Sequence, residues 1–217
     1  MAQVIQLKEK LSSSAISIEH MKIDERTLKR YLKAFHTVDA AYERILATNA
    51  WRQDFDVANI TRNTPGVKKT FDTKICEILN QRDRQERPLI YVAVRNHSIQ
   101  KRNVDDMTLF IVYMLETAAD KCQEDGPDNV CLLFDMKNFS LMCMDYAVLK
   151  TLYTIMTDHY PERLGVCLVL NAPFIFSACW VIIRSWLDDN TAGKIKFIKS
   201  DDELSLYIDP TFLPADL

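Results

Sequence analysis

A chain of 217 residues, 48% hydrophobic and 10% aromatic, has the length of one domain with at most a small appendage, and enough apolar material for a sizeable core. Charged residues make up 26% and net to −3, which gives no reason to expect nucleic-acid binding, since that shows as a strongly basic domain or stripe. Gly66, Gly126, Gly165 and Gly193 are the only glycines, too few for a phosphate-cradling loop or dinucleotide fingerprint, which disfavours the common nucleotide-dependent enzymes.

Met1 to Ser17 reads as a short polar-to-mixed lead with room for one helix. Lys8, Glu9 and Lys10 stand where a secretory signal needs an apolar run, so no signal peptide is expected. Asp24 to Phe35 and Val38 to Trp51 read as helices. Leu28, Tyr31, Leu32 and Phe35 recur at helical spacing, as do Tyr42, Ile45 and Leu46, with Asp39 as a cap near the second start. Thr64-Pro65-Gly66 is a turn, and Val67 to Asn80 reads as a third helical segment. The pattern then changes. Arg87 to Arg95 is strand-like, Asp105 to Gln123 an amphipathic helix, Asp125-Gly126-Pro127-Asp128 a turn, and Val130 to Asp135 a strand. Asp145 to His159 is a helix, Leu164 to Leu170 a strand, Phe174 to Leu187 a helix, Lys194 to Ile198 a strand, and Asp201 to Ile208 a short helix. The expected domains are a lead over 1–23, a helical lobe over 24–84 and an α/β lobe over 85–217. The alternation in the last argues for a largely parallel sheet of at least four strands covered by helices.

Phe174 to Leu187 is unusually apolar. Only Ser177, Arg184 and Ser185 are polar, and on a helical wheel they share one narrow sector, whereas a surface helix carries a broad polar back. Two readings fit: a helix buried in mid-fold, or one lying between a core and a ligand cavity or membrane. A membrane span over Leu164 to Ile183 is rejected. Asn171-Ala172-Pro173 interrupts it, proline disfavours helix at the preceding residue, and the half before the break is β-branched.

Chemistry-bearing residues are sparse. Cys76, Cys122, Cys131, Cys143, Cys167 and Cys179 form no Cys-x-x-Cys pair and read as small buried hydrophobes of a reducing compartment, the cytosol. His20, His36, His97 and His159 show no metal-ligand spacing, and Asp158-His159 has no nucleophile elbow beside it, so neither metal, cofactor nor catalytic site is expected. The pairs and triplets Lys68-Lys69, Arg82/Arg84/Arg87, Lys101-Arg102 and Lys194/Lys196/Lys199 read as solvated surface, with a modest role in touching anionic membrane open. Glu162, Thr191 and Lys194 together offer an acceptor, a hydroxyl and a cation, the groups that a phosphorylated polyol would need. A surface Glu–Lys pair with a helix-end threonine is the plainer reading of the same residues.

Tyr160-Pro161-Glu162-Arg163-Leu164, followed by Asn171-Ala172-Pro173-Phe174 and then Trp180, Leu187, Thr191, Lys194 and Ile195, resembles the signature of the CRAL-TRIO lipid-binding domain family. Leu28 to Ala34, Ala50-Trp51-Arg52, Arg87-Pro88, Leu133 to Lys137 and Leu213-Pro214 continue the resemblance in order, from about Asp24 to the end, with the family's usual Gly-Gly after Leu-Pro missing. The resemblance implies a helical N-terminal lobe and a mixed, largely parallel sheet with covering helices. It also implies an apolar cavity lined by Ile90, Val92, Val130, Leu132 and Phe134, beneath a gate helix carrying Phe174, Phe176, Trp180, Ile183 and Leu187. Members that bind phosphatidylinositol place Glu, Thr and Lys at Glu162, Thr191 and Lys194, together with an N-terminal Arg where this chain has Phe35 and, displaced, Lys33. Phosphatidylcholine binders carry hydroxyls on the central strand, where Val130 and Leu132 stand. The expectation is a non-enzymatic, cytoplasmic carrier of one hydrophobic lipid, a phosphatidylinositol-like phospholipid, with transient membrane contact. A carrier of a small tocopherol- or retinoid-like hydrophobe, and a lipid-sensing module presenting its ligand to a partner protein, are the alternatives.

Overall fold

The N-terminal helices are set by their caps. The Asp24 carboxylate accepts the Thr27 N–H and opens α2 (Glu25–Phe35); the Thr37 hydroxyl accepts the Ala40 N–H and opens α3 (Val38–Asp54). Asp39, expected as that cap, instead sits inside the first turn and pairs with Lys10 of α1 (Ala2–Ser12) at 2.5 Å. His36, at φ 64°, makes the reversal between α2 and α3. The computed structural model describes residues 1–214, and the chain divides into two units. One comprises Met1–Ile60 together with Tyr153–Glu162; the other comprises Thr61–Leu152 and the chain from Arg163 onward.

In the first unit Leu7, Leu11, Leu28, Tyr31, Leu32, Ala41 and Ile45 form the core. Burying each large apolar side chain is worth roughly 1.5–3 kcal/mol. The buried Tyr31 hydroxyl donates to Thr48 Oγ1 at 2.9 Å, and Thr48 donates on to the Asp158 carbonyl at 3.3 Å. The His159 ring stacks on Trp51 with centroids 3.8 Å apart.

The second unit holds a five-stranded sheet in the order β1 (Cys76–Arg82), β2 (Pro88–Ala93), β3 (Val130–Asp135), β4 (Leu164–Leu170), β5 (Ile195–Ile198). β1 and β2 are antiparallel and the remaining pairings parallel. β1 corrects the expectation of helix from Val67 to Asn80. The helix α4 is only Pro65–Asp72, and Lys74 at φ 55° turns the chain out of it. The Asp83 carboxylate then accepts the Gln85 and Arg87 N–H groups, and this side-chain turn folds Cys76–Arg82 back along β2.

The remaining helices are α5 (Val104–Asp120), α6 (Tyr146–His159), α7 (Phe176–Arg184), α8 (Asp189–Gly193) and α9 (Asp201–Ser205). Phe71 of α4 meets Phe110 and Tyr113 of α5 edge-on, at 4.9 and 5.6 Å between centroids. Side chains of the sheet alternate between faces. Leu89, Tyr91, Cys131, Leu133, Val166 and Leu168 face Leu204 of α9 and Ile208. Cys167, Val169, Phe134, Ile195 and Phe197 face α7 and the N-terminal half of α6. A strand order that never reverses sends right-handed crossovers to one face, which is why α6 and α7 share it.

Candidate functional site

α7 has two apolar faces. Phe176, Cys179, Trp180 and Ile183, at i, i+3, i+4 and i+7, pack toward the sheet. Phe176 meets Phe139 at 5.6 Å, and Trp180 meets Phe197 at 5.0 Å, both edge-on. On the opposite side Val181 is 69% exposed and Ile182 46%, and Phe174 just before the helix is 94% exposed. The turn bonds Phe176 N–H to Pro173 O and Leu187 N–H to Arg184 O extend the coil at both ends, so the apolar run Phe174–Leu187 is one helical body with irregular tips. Leu187 lies half-buried at the far tip.

The sheet face toward α7 is apolar across four strands. In register, Ile90 pairs with Leu132, Leu132 with Cys167 and Cys167 with Ile195; one step on, Val92 pairs with Phe134, Phe134 with Val169 and Val169 with Phe197. Ile90, Val130 and Leu132 are buried, whereas Val92 and Phe134 are half-buried. No hydroxyl stands in these rows.

One end of this floor is fixed by a buried carboxylate. Asp135, at the end of β3 and fully buried, accepts from Tyr91 Oη and Asn171 Nδ2, each at 2.9 Å, from the Lys137 N–H at 2.9 Å, and from Arg95. Burial alone raises the Asp135 carboxyl, but these donors together outweigh it and hold the group below its ordinary value. Burial, with the Asp135 charge, pushes the Tyr91 phenol up to about 12. Asn171 is the first residue after β4, at φ 54°, so Asp135 clasps the turn that launches α7.

Thr191 and Lys194 lie in and just after α8. The Thr191 N–H and hydroxyl both go to Asp188, at 2.9 and 2.6 Å, so this hydroxyl is engaged in capping its own helix. Burial raises the Asp188 carboxyl, and the Thr191 bonds bring it below the ordinary range. The Lys194 carbonyl accepts the Cys167 N–H at 2.9 Å, which splices α8 to β4. Glu162 belongs to the other unit, at φ 58° in a tight turn. Its carboxylate, 12% exposed, is paired with Lys33 Nζ at 2.6 Å. Phe35, where the family resemblance implied an arginine, packs on the helical core and carries the Arg44 guanidinium over its ring at 5.3 Å.

Lys33 as the partner of Glu162 and Asn171 as the partner of Asp135 were not assigned from sequence. Their separations of 129 and 36 residues carry no periodic signal, although Asn after a strand and before proline marks a left-handed turn. His159 sits against Trp51 with its Nδ1 buried and unbonded, and burial holds its pKa below the ordinary value. Among the described residues, no three His, Cys, Asp or Glu groups are placed to hold a metal ion, and no helix is long and apolar enough to cross a membrane.

Comparison with known proteins agrees with this geometry. A CRAL-TRIO domain-containing protein of Schizosaccharomyces pombe is 34% identical, over 84% of this chain and 43% of its own length. The phosphatidylinositol transfer protein CSR1 of Eremothecium gossypii is 35% identical, over 62% of this chain and 31% of its own length. The chain thus spans less than half the length of these two relatives. The Sec14 cytosolic factor of S. pombe is 26% identical over 90% of the chain and 74% of its own length. The crystal structure of Sfh5 shares the fold, with a TM-score of 0.69 at 17% identity over 90% of this chain and 78% of that one. The model of the CRAL/TRIO domain matches residues 72–217, and the chain belongs to the CRAL/TRIO domain family.

Proposed function

We propose that this chain is a non-catalytic lipid carrier that holds one hydrophobic ligand against the sheet face beneath α7 and exchanges it with membranes. The observation that carries this reading is the double-sided apolarity of α7, with Phe176 and Cys179 turned to the sheet and Val181 and Ile182 to the surface. A helix that served only as a lid on a solid core would present a polar back. Ile90, Val92, Val130, Leu132 and Phe134 are the proposed floor for the hydrocarbon, and α7 the gate. The relatives named as a phosphatidylinositol transfer protein and a cytosolic factor support a phospholipid ligand and a cytoplasmic, peripherally membrane-associated carrier.

A phosphatidylinositol-like headgroup is the ligand class we favour. In one unit, Lys194 is the proposed phosphate contact, with the Thr191 oxygen accepting while its proton stays on Asp188. In the other, Glu162 is the proposed acceptor of ring hydroxyls, with Lys33 in place of the arginine that Phe35 displaces. The same residues favour a second reading. The hydroxyl-free rows of Val130 and Leu132, with the Thr191 hydroxyl already engaged, suit a small neutral hydrophobe.

Native mass spectrometry of the purified protein, with extraction of bound lipid after incubation in mixed phospholipids and tocopherol, separates the two. Phosphatidylinositol in the bound fraction supports the headgroup assignment. Tocopherol alone would replace it, and an empty protein would overturn the carrier reading.

A further inference from the structure

The end of the sheet where β2, β3 and β4 finish carries more exposed apolar surface than α7 alone. Of the ten large hydrophobics exposed among the described residues, six lie there: Phe174, Ile175, Val181 and Ile182 on the α7 body, and Leu141 and Met142, 54% and 53% exposed, on the turn after β3. This turn is held in place from below. Phe139 packs on Phe176, Met136 and Met144 are buried in the cluster beneath α7, and Asp145 accepts from the Val148 N–H and from Arg102 Nε at 2.6 Å. The Ile99 N–H reaches the Met142 carbonyl at 3.4 Å, joining the loop after β2 to the same turn. Leu141 and Met142 are therefore presented outward by a fastened turn and are not loose chain.

Charge in the segments of this end is basic, although two of their arginines are paired with carboxylates just outside them, Arg102 with Asp145 and Arg184 with Asp189, each at 2.6 Å. The segments 96–103, 136–144 and 171–187 contain no Asp or Glu, in a chain with 30 acidic residues and a net charge of −3, yet they carry Lys101, Arg102, Lys137 and Arg184. An apolar patch fringed by the exposed Lys101, with no carboxylate within its three segments, matches an anionic bilayer, where the apolar tips enter the acyl boundary and the cation meets headgroups. A protein partner would not require the exclusion of every acidic residue from three separate segments.

We propose that the Leu141–Met142 turn is a second membrane-inserting element beside α7, so that this end of the sheet docks on anionic membrane through two apolar elements and the basic loop at Lys101. The proposal rests on the membrane-exchange reading and locates its docking surface.

Co-sedimentation of the full chain with phosphatidylcholine vesicles, with and without phosphatidylserine, tests it. The Leu141→Asp/Met142→Asp variant should lose roughly tenfold or more of its vesicle partitioning. Lys101→Glu should weaken binding to the phosphatidylserine vesicles alone, and most at low salt. Leu206→Asp, at a residue 73% exposed outside the patch, should partition like wild type. Thermal melting checks that each variant is folded. Wild-type partitioning by the Leu141→Asp/Met142→Asp variant, equal loss in Leu206→Asp, or no binding of wild type to either vesicle overturns the proposal. Lipid extraction from the same samples separates the two ideas. A wild-type protein that sediments with vesicles but carries no lipid keeps the docking surface and removes the carrier reading.

Discussion

Asp135 shows how one side chain ties three strand ends together. It is fully buried and meets Tyr91, Arg95, Asn171 and the Lys137 N–H, so replacing it strands several donors and a guanidinium. Asp135→Ala should cost about 3–5 kcal/mol in urea unfolding, the range for breaking a buried ion pair from one side. The pH dependence follows from its lowered pKa. A carboxyl depressed in the folded state stabilises the fold above its unfolded value, near 3.8, and that contribution disappears as pH falls through the folded value. Wild-type stability should therefore decline below about pH 4, and Asp135→Asn should flatten part of that limb, with Asp24, Asp145 and Asp188 among the other carboxyls that contribute to it. Lys33 behaves differently. It is 72% exposed, so Lys33→Ala should change stability by less than about 1 kcal/mol. If Glu162 reads a headgroup, the same variant should still lower phosphatidylinositol loading by roughly tenfold, the scale of one charge-assisted hydrogen bond. Unchanged loading in lipid extracts would remove Lys33 from the site.

At the scale of an element, α7 separates its roles by face. Phe176 is 7% exposed against Phe139 and Phe197, and Phe176→Ala should destabilise by about 3 kcal/mol through the cavity it leaves. Trp180 and Ile183 pack on the same side, so an aspartate at either should lower the melting temperature as well as any exchange rate. Val181, at 69% exposure, isolates the surface role. Val181→Asp should leave stability within about 0.5 kcal/mol of wild type while slowing lipid exchange between vesicles, read with a fluorescent phospholipid. Normal exchange in that variant would mean that the outer face of α7 plays no part in membrane contact.

At the scale of the whole molecule, all six cysteines are free, and among the described residues no three His, Cys, Asp or Glu groups are placed to hold a metal ion. Cys131 and Cys167 are buried in the sheet, and burial raises both thiols, Cys167 to about 12. Reducing agent should therefore leave the melting temperature unchanged. Iodoacetamide at mild alkaline pH should modify Cys131 and Cys167 only in denaturant, because the thiolate is the reactive form. Rapid labelling of either thiol in the native protein would show that the sheet opens far more readily than its packing implies. If the chain carries a lipid as proposed, bound ligand should add stability in proportion to the logarithm of its concentration over Kd, so delipidated protein should melt lower and recover on reloading.

The sequence by itself determined the alternating strands and helices, the apolar run before Thr191 and Lys194, and the family, because periodicity, turn residues and motif order are local properties of the chain. β2, β3, β4 and β5 lie close to their expected spans, and the extents of α2, α5 and α6 differ from expectation by three residues or fewer at either end. The edge strand β1 was hidden, since its residues alternate poorly and its pairing depends on the Asp83 turn and on β2 beside it. Tertiary structure alone decided which face of α7 meets the sheet, that the Thr191 hydroxyl donates to Asp188, that Lys33 pairs with Glu162, and that Leu141 and Met142 reach the surface. Each of these is a choice between partners distant in sequence or between two equally apolar faces. Such choices are made by packing and by the satisfaction of buried polar groups, and no residue pattern within one segment encodes them.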